Sequence, residues 1–489
     1  MGLNNISTHD KALRINVDAA RYGVFAEIGA GQEVARWFFH VGGAAGTVAK
    51  TISAYDMAVS DAVYGPGRRY VSRQRLQSML DHEWSLLLER LGAGRGDSTR
   101  FFVFADTVTA RSFSRKEEGQ GWLGIRFQTE PRAMPSEIII HARMWDSENE
   151  RQQEALGVLG VNLIHGAFYD HSRPAELVGS LMHELTRDRM EIDMIKFSGL
   201  AFEGLDARLM SLQLVQQRLT NAALFAPDGE AVESAELLHG APVLIERGSF
   251  RPVTRVSLDM LERSRERMAS ESDMAGREPV VLMEMTLRNL LARGEEVNLL
   301  ARGEEVKHED FLARMDTLRA LGLTAMISNY SRFHNVTTYL RRYTRERIGM
   351  VMGLATLAQV FEEKYYADLD GGILEALGRL LGGGPVRLYV YPWKVAGSGE
   401  LRIAEGFAVS SSLQQLYLYL TQNRSIVGIE ATPGLDLATL PHEVLSMLQS
   451  GESSWEELVP REVALLVKAR RLFGYRGAAS ADAAGAGAH

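Results

Sequence analysis

The chain has 489 residues, with 62 acidic and 54 basic side chains and a net charge of −8, so it exceeds one ordinary core and lacks the basic footprint of a nucleic-acid binder. It has no cysteine, which excludes disulfides, thiol nucleophiles and thiolate metal sites. Its 12 histidines show no paired metal-ligand spacing, no apolar run reaches the roughly 18 residues of a membrane span, and the first residues have no basic or apolar leader, so a cytoplasmic protein without metal, membrane or nucleic-acid partner is expected.

Residues 1–20 read as an arm or a first strand. A strand at Val24–Ile28 runs through Gly29-Ala30-Gly31 into a helix at Gln32–Phe39. A second small-residue loop, Gly42-Gly43-Ala44-Ala45-Gly46, leads to an alternating strand at Thr47–Ala54. Helical spacing of Leu76, Met79, Leu80, Trp84, Leu87 and Leu88 predicts a helix over Arg73–Leu91. Strands follow at Phe101–Ala105, Gly121–Gln128 and Ile138–Met144. The helix Glu148–Tyr169 turns apolar all round, the mark of burial. Pro174 just beyond it predicts a domain boundary near His171.

From 171 to 450 strand and helix alternate. The strands are nearly continuous apolar runs at Met190–Phe197, Ala222–Phe225, Val243–Glu246, Val280–Met285, Thr324–Ser328, Ile348–Met352, Val386–Tyr391 and Ile426–Glu430. The pattern predicts an α/β domain, either a closed β/α barrel or a doubly wound sheet. A helical segment at 451–476 and a Gly/Ala-rich disordered tail at 477–489 complete the expected organisation. Asn289–Val297 is repeated letter for letter as Asn298–Val306, which reads as a duplication lengthening a surface loop.

The order of motifs at 25–65 resembles the C-terminal domain of the CinA family, the nicotinamide-nucleotide amidases. Ala26-Glu27, the turn glycine Gly31, the loop Gly43-Ala44-Ala45, the strand end Ala54-Tyr55-Asp56 and Tyr64-Gly65 carry the likeness. Phe104–Ala110 and Gly121–Ile125 extend it. The resemblance implies an α/β fold over 21–170. It also implies a serine nucleophile after Ala-Glu, where this chain has Ile28, a side chain without a lone pair. Family-type amide hydrolysis is therefore not expected, whereas ligand binding could survive. Gly29, Gly31, Gly43 and Gly46 either present backbone N–H groups to a phosphate or only permit tight turns. Thr107 and Thr109 supply hydroxyls nearby. The whole chain also resembles bacterial proteins bearing the names nicotinate-nucleotide adenylyltransferase and TonB-dependent receptor. His40-Val41-Gly42-Gly43 lacks the second histidine of the first, and the signal peptide and many short alternating strands of the second are absent from this sequence.

In α/β domains ligands gather at the carboxyl ends of strands. Those ends offer Arg247, Ser249, Arg251, Ser328, Asn329 and Arg332, a combination suited to a phosphate or carboxylate. Glu191, Asp193, Lys196 and Glu284 lie within strands, where a charge is unusual unless paired or functional. The expected function is binding of a phosphorylated small molecule, with a pyridine nucleotide as the implied class and no catalytic residue or cofactor assigned. The alternatives are a non-catalytic scaffold, which could be a homo-oligomer, and an enzyme whose site lies in the second domain.

Overall fold

The computed structural model describes residues 6–29, 31–111, 118–291, 306–395 and 397–477. Most of the duplicated nonapeptide and of the tail lies outside them. The chain forms two compact units, Met1–Ala223 and Leu224–His489.

The first unit is one mixed sheet with helices on both faces. Its strands are β1 (Arg21–Ile28), β2 (Val48–Ile52), β3 (Arg100–Thr109), β4 (Gly119–Phe127), β5 (Ser136–Met144) and β6 (Met190–Ser198). They stand in the order β2-β1-β3-β4-β5-β6, parallel among the first three and antiparallel from β3 onward. Its helices are α1 (Thr8–Asn16), α2 (Glu33–His40), α3 (Met57–Tyr64), α4 (Arg73–Arg95), α5 (Asn149–Tyr169), α6 (Pro174–Ser180) and α7 (Ala207–Gln216). The alternation of strand side chains explains the two cores. Phe25, Phe102, Phe104 and Leu123 join α1, α2 and α5 on one face. Val24, Ala26, Val103 and Ala105 meet α3 and α4 on the other.

Two expectations are corrected here. Of the expected arm at 1–20, the described part from residue 6 is no loose arm: Ser7 caps α1, and Ala12 and Ile15 are fully buried. The domain boundary is not at 171. The strand at Met190–Phe197, assigned by sequence to the second domain, pairs with β5 along its length as the last strand of the first sheet. Pro174 ends one helix and opens another inside the unit, where its missing N–H costs nothing.

The second unit contains β7 (Ala222–Phe225), β8 (Ala231–Val232), β9 (Val243–Arg247), β10 (Val280–Thr286), β11 (Ala325–Ser328), β12 (Ile348–Gly353), β13 (Val386–Tyr391), the small ribbon β14 (Trp393–Lys394) with β15 (Leu401–Arg402), and β16 (Ile426–Gly428). The unit division falls within β7. The main sheet runs β16-β13-β12-β9-β10-β11-β7-β8. Its central strands pair in parallel, so the sheet is open and doubly wound, and the barrel alternative is excluded. The chain moves outward from β9 to β10 and β11, then crosses back to β12 and continues to β13 and β16. Strand order therefore reverses between β9 and β12. The helices are α8 (Ser234–Leu238), α9 (Arg255–Ala269), α10 (Leu287–Leu291), α11 (His308–Ala320), α12 (Phe333–Leu340), α13 (Leu354–Val360), α14 (Gly372–Leu381), α15 (Gln414–Gln422), α16 (Pro441–Ser450), α17 (Trp455–Leu458) and α18 (Arg461–Arg470). The segment after 450 is not separate: Trp455, Val459 and Val463 bury against Ala313 of α11 and Leu448 of α16.

Candidate functional site

In the first unit, β1 and β3 bring two acids side by side. Glu27 lies opposite Asp106 in the parallel ladder, and both are buried. Gly29 turns the chain at φ +103°, and a Cβ there would lie 1.8 Å from the Val108 carbonyl oxygen, so only glycine fits. The turn delivers the start of α2 onto Glu27, whose two carboxyl oxygens accept the N–H groups of Val34 (2.9 Å) and Ala35 (3.0 Å). A helix N-terminus attracts an anion, and here the chain supplies its own. Burial raises the Glu27 carboxyl to about 7, against the pull of those two N–H groups. Burial and then the charge of Glu27 raise Asp106 well above the carboxylate range, although it accepts the Ile28 N–H at 3.2 Å. Its Oδ2 has no hydrogen-bond partner.

The other expected positions of this unit are occupied by structure. Ile28, 8% exposed, belongs to the apolar layer with Ala26, Tyr64 and Leu76. Gly31 is exposed, at φ +82°, with open space around it. The second loop closes on itself: Gly46 N–H donates to Gly43 and Thr47 N–H to Ala44, while the Asn16 amide clamps the loop's entry by donating to Phe38 and Gly42. Thr107 is buried and donates to the Tyr70 carbonyl. Thr109 ends β3 half-buried. The second loop and Thr107 are thus engaged in hydrogen bonds within the fold, and the amides at the start of α2 are taken by Glu27.

The in-strand charges of β6 are also paired. Burial pushes Asp193 up, but His141 and Arg143 more than offset it and hold the carboxyl at about 2. Glu191 accepts the Thr220 hydroxyl at 2.6 Å.

In the second unit the strand ends do line a cleft, of about 570 Å³, at the reversal between β9 and β12. An open α/β sheet binds ligands at such a point, because loops leaving the two strands diverge and part the edge. Gly248 turns the chain out of β9; a Cβ there would lie 2.6 Å from the Phe250 ring, which folds back against it. Thr254 then caps α9 and places Ser257 and Met260 along one wall. Met352, Gly353 and Leu354 form the opposite side. The aromatic residues Tyr391 and Trp393 also line it, the first buried and tethered through its hydroxyl to Asp259. Arg402 stands at the rim, half exposed, 5.9 Å above the Trp393 ring and 3.6 Å from Glu400.

Arg247 and Ser249 border this cleft. Arg251, Ser328, Asn329 and Arg332 are not among the residues lining it, although Arg247 and Ser328 meet at Glu284 and Arg247 also donates to the Ser331 carbonyl. The three arginines of the expected anion site are each held by a carboxylate. Arg247 forks onto Glu284 with two bonds of 2.9 Å, and the buried Ser328 hydroxyl donates to the same carboxylate at 2.6 Å. Arg251 bonds Asp310, which Arg314 shares. Arg332 bonds Asp368. Asn329 is half-buried beyond β11, and Ser249 is exposed, its carbonyl accepting from Arg314. Residues 36 and more positions apart set these pairings, as Arg332 with Asp368 shows, and nothing local in the sequence marks them.

Sequence reasoning passed over Glu246. It closes the apolar run Val243-Leu244-Ile245, is 3% exposed, and lines the cleft. Its buried Oε2 has no hydrogen-bond partner among the described residues. The signal was an acid ending the strand that precedes a glycine turn.

No family model matches the chain, and no curated protein matches it. Over about a third of its length this chain is similar to solved structures of the CinA superfamily. A competence/damage inducible protein from Agrobacterium tumefaciens is 17% identical, over 34% of this chain and 97% of its own, at a TM-score of 0.25. A competence-damaged protein of the CinA superfamily from Klebsiella pneumoniae is 14% identical, over 33% and 96%, at 0.24. One from Enterobacter cloacae is 11% identical, over 34% and 95%, at 0.25. Likeness at these scores carries no inference about activity. Among the described residues no helix is long and apolar enough to cross a membrane.

Proposed function

We propose that this protein binds a small planar organic molecule, of nucleoside or nucleotide size, in the cleft of its second unit. One observation carries the reading: the cleft opens where strand order reverses in a doubly wound sheet, and its volume of about 570 Å³ falls in the range of small-molecule sites. The aromatic lining residues Tyr391 and Trp393 favour a flat ring. A phosphate on such a molecule would meet Arg402 at the rim rather than Arg247, whose charge Glu284 neutralises. The pyridine nucleotide implied by the family resemblance is one member of this class. The test is a thermal-shift series with nucleosides, NMN and NAD on the full chain, followed by calorimetric titration. Binding that disappears in Met260→Trp, which fills the cleft, supports the reading. A series without any binder, or binding that survives Met260→Trp, overturns it.

A further inference from the structure

We infer that Glu246 reads the ligand, hydrogen-bonding through its carboxyl to an acceptor atom of an uncharged heterocycle seated in the cleft. The inference rests on the cleft being the binding site and adds which residue recognises what. Three observations meet at this side chain. It is almost fully buried yet lines an open cleft of ligand size. Its Oε2 has no partner among the described residues, whereas a buried polar atom in a folded protein is nearly always satisfied. Its ladder neighbours are Met283 on β10 and Val351 on β12, which offer it neither a proton nor a charge.

The contrast with the adjacent residue is informative. Arg247 and Glu284 satisfy one another, so removing water from them has been compensated inside the protein. Glu246 has no cation. Burial raises its carboxyl well above the ordinary range, opposed only by the Ser257 hydroxyl, which favours the protonated form that carries a donor hydrogen. A protonated carboxyl at the end of an apolar slot penalises an anionic group at that position and rewards a carbonyl or ring nitrogen. The charged end of a larger ligand would then lie outward, toward Arg402.

The probes are adenosine, inosine and uridine, titrated calorimetrically into the full chain. At least one is expected to bind the native protein. Glu246→Gln keeps an N–H donor and should hold affinity within about threefold, while Glu246→Leu, of similar size and without a donor, should lose at least tenfold. Unfolding temperature guards the comparison: Glu246→Leu removes an unsatisfied buried acid and should unfold no lower than the native chain. Equal binding by Glu246→Leu and the native protein overturns the inference. If that binding is nonetheless lost in Met260→Trp, the cleft reading stands alone. Failure of all three nucleosides to bind the native protein, or a marked drop in the unfolding temperature of Glu246→Leu, also overturns the inference.

Discussion

Both units bury acids at the same kind of place, the carboxyl ends of neighbouring parallel strands, and in each the fold satisfies one acid fully while a neighbour, Asp106 or Glu246, keeps an unmatched oxygen. In the first unit the chain fills the position itself: Glu27 takes the amides of Val34 and Ala35 at the start of α2, and Ile28 packs into the core. In the second unit Glu284 is likewise consumed by Arg247 and Ser328, but Glu246, next to Arg247, lines a cleft and has one buried oxygen unmatched among the described residues. A buried charge is therefore no guide to a site by itself. What separates Glu27 and Glu284 from Asp106 and Glu246 is whether the fold completes the hydrogen-bonding requirement of the group, and of the latter two Glu246 lines the cleft.

The strongest way to break this comparison is to remove a partner that the fold is said to supply. Arg247→Ala strands Glu284, which is fully buried, and should destabilise the second unit by about 3–5 kcal/mol, read from urea unfolding. Replacing the pair together, with Arg247→Met and Glu284→Leu, should recover most of that loss. If Arg247→Ala is instead neutral, the arginine is available to a ligand and the neutralised-cation argument fails. In the first unit, Glu27→Ala leaves two amides unpaired in a dry interior and should cost about 3 kcal/mol. Hydrogen exchange at Val34 and Ala35 should accelerate with it. Protection that persists would mean those amides have another acceptor.

Those expectations also mark how much was legible beforehand. Both α/β classes and the eight apolar strands were readable because a strand covered on both faces must be apolar throughout, as Val386–Tyr391 is. Helix α1 was missed although Ser7 and Asp10 form its cap, because a single nine-residue helix carries little periodic signal. Sheet membership was invisible: β6 has the same apolar character as the strands after it, and only pairing with β5 places it in the first unit. At the candidate site, strand ends were correctly searched, but the weight fell on arginines. Their carboxylate partners at 284, 310 and 368 lie far along the chain, and composition cannot show who is already engaged.

A smaller effect follows pH. The folded pKa of Glu27, about 7, lies above its ordinary 4.5, so the folded first unit binds more protons than the unfolded chain between those values. Stability should fall as pH rises through that window, by at most about 1.4 kcal/mol per pH unit for each such group. Asp106 and, in the second unit, Glu246 act in the same direction. Asp106→Asn keeps an acceptor for the Ile28 amide and removes one titrating group, so the first unit's urea midpoint should depend less on pH between 5 and 8. An unchanged slope would show that Asp106 does not titrate with folding.

The smallest effect belongs to Gly31, and it bears on the glycine turn most directly. Its φ of +82° strains any other residue, yet a Cβ there meets nothing within 4 Å. Gly31→Ala should therefore cost only about 1–2 kcal/mol of stability, the left-handed conformational penalty without a clash. If the turn is only a turn, affinity for the nucleotide probes stays within error of the native value, because Glu27 already occupies the amides that follow. A loss of nucleotide binding in Gly31→Ala, with the unfolding midpoint changed no more than this, would move the ligand to the first unit. The contrast between a filled strand end and an open one would then be reversed.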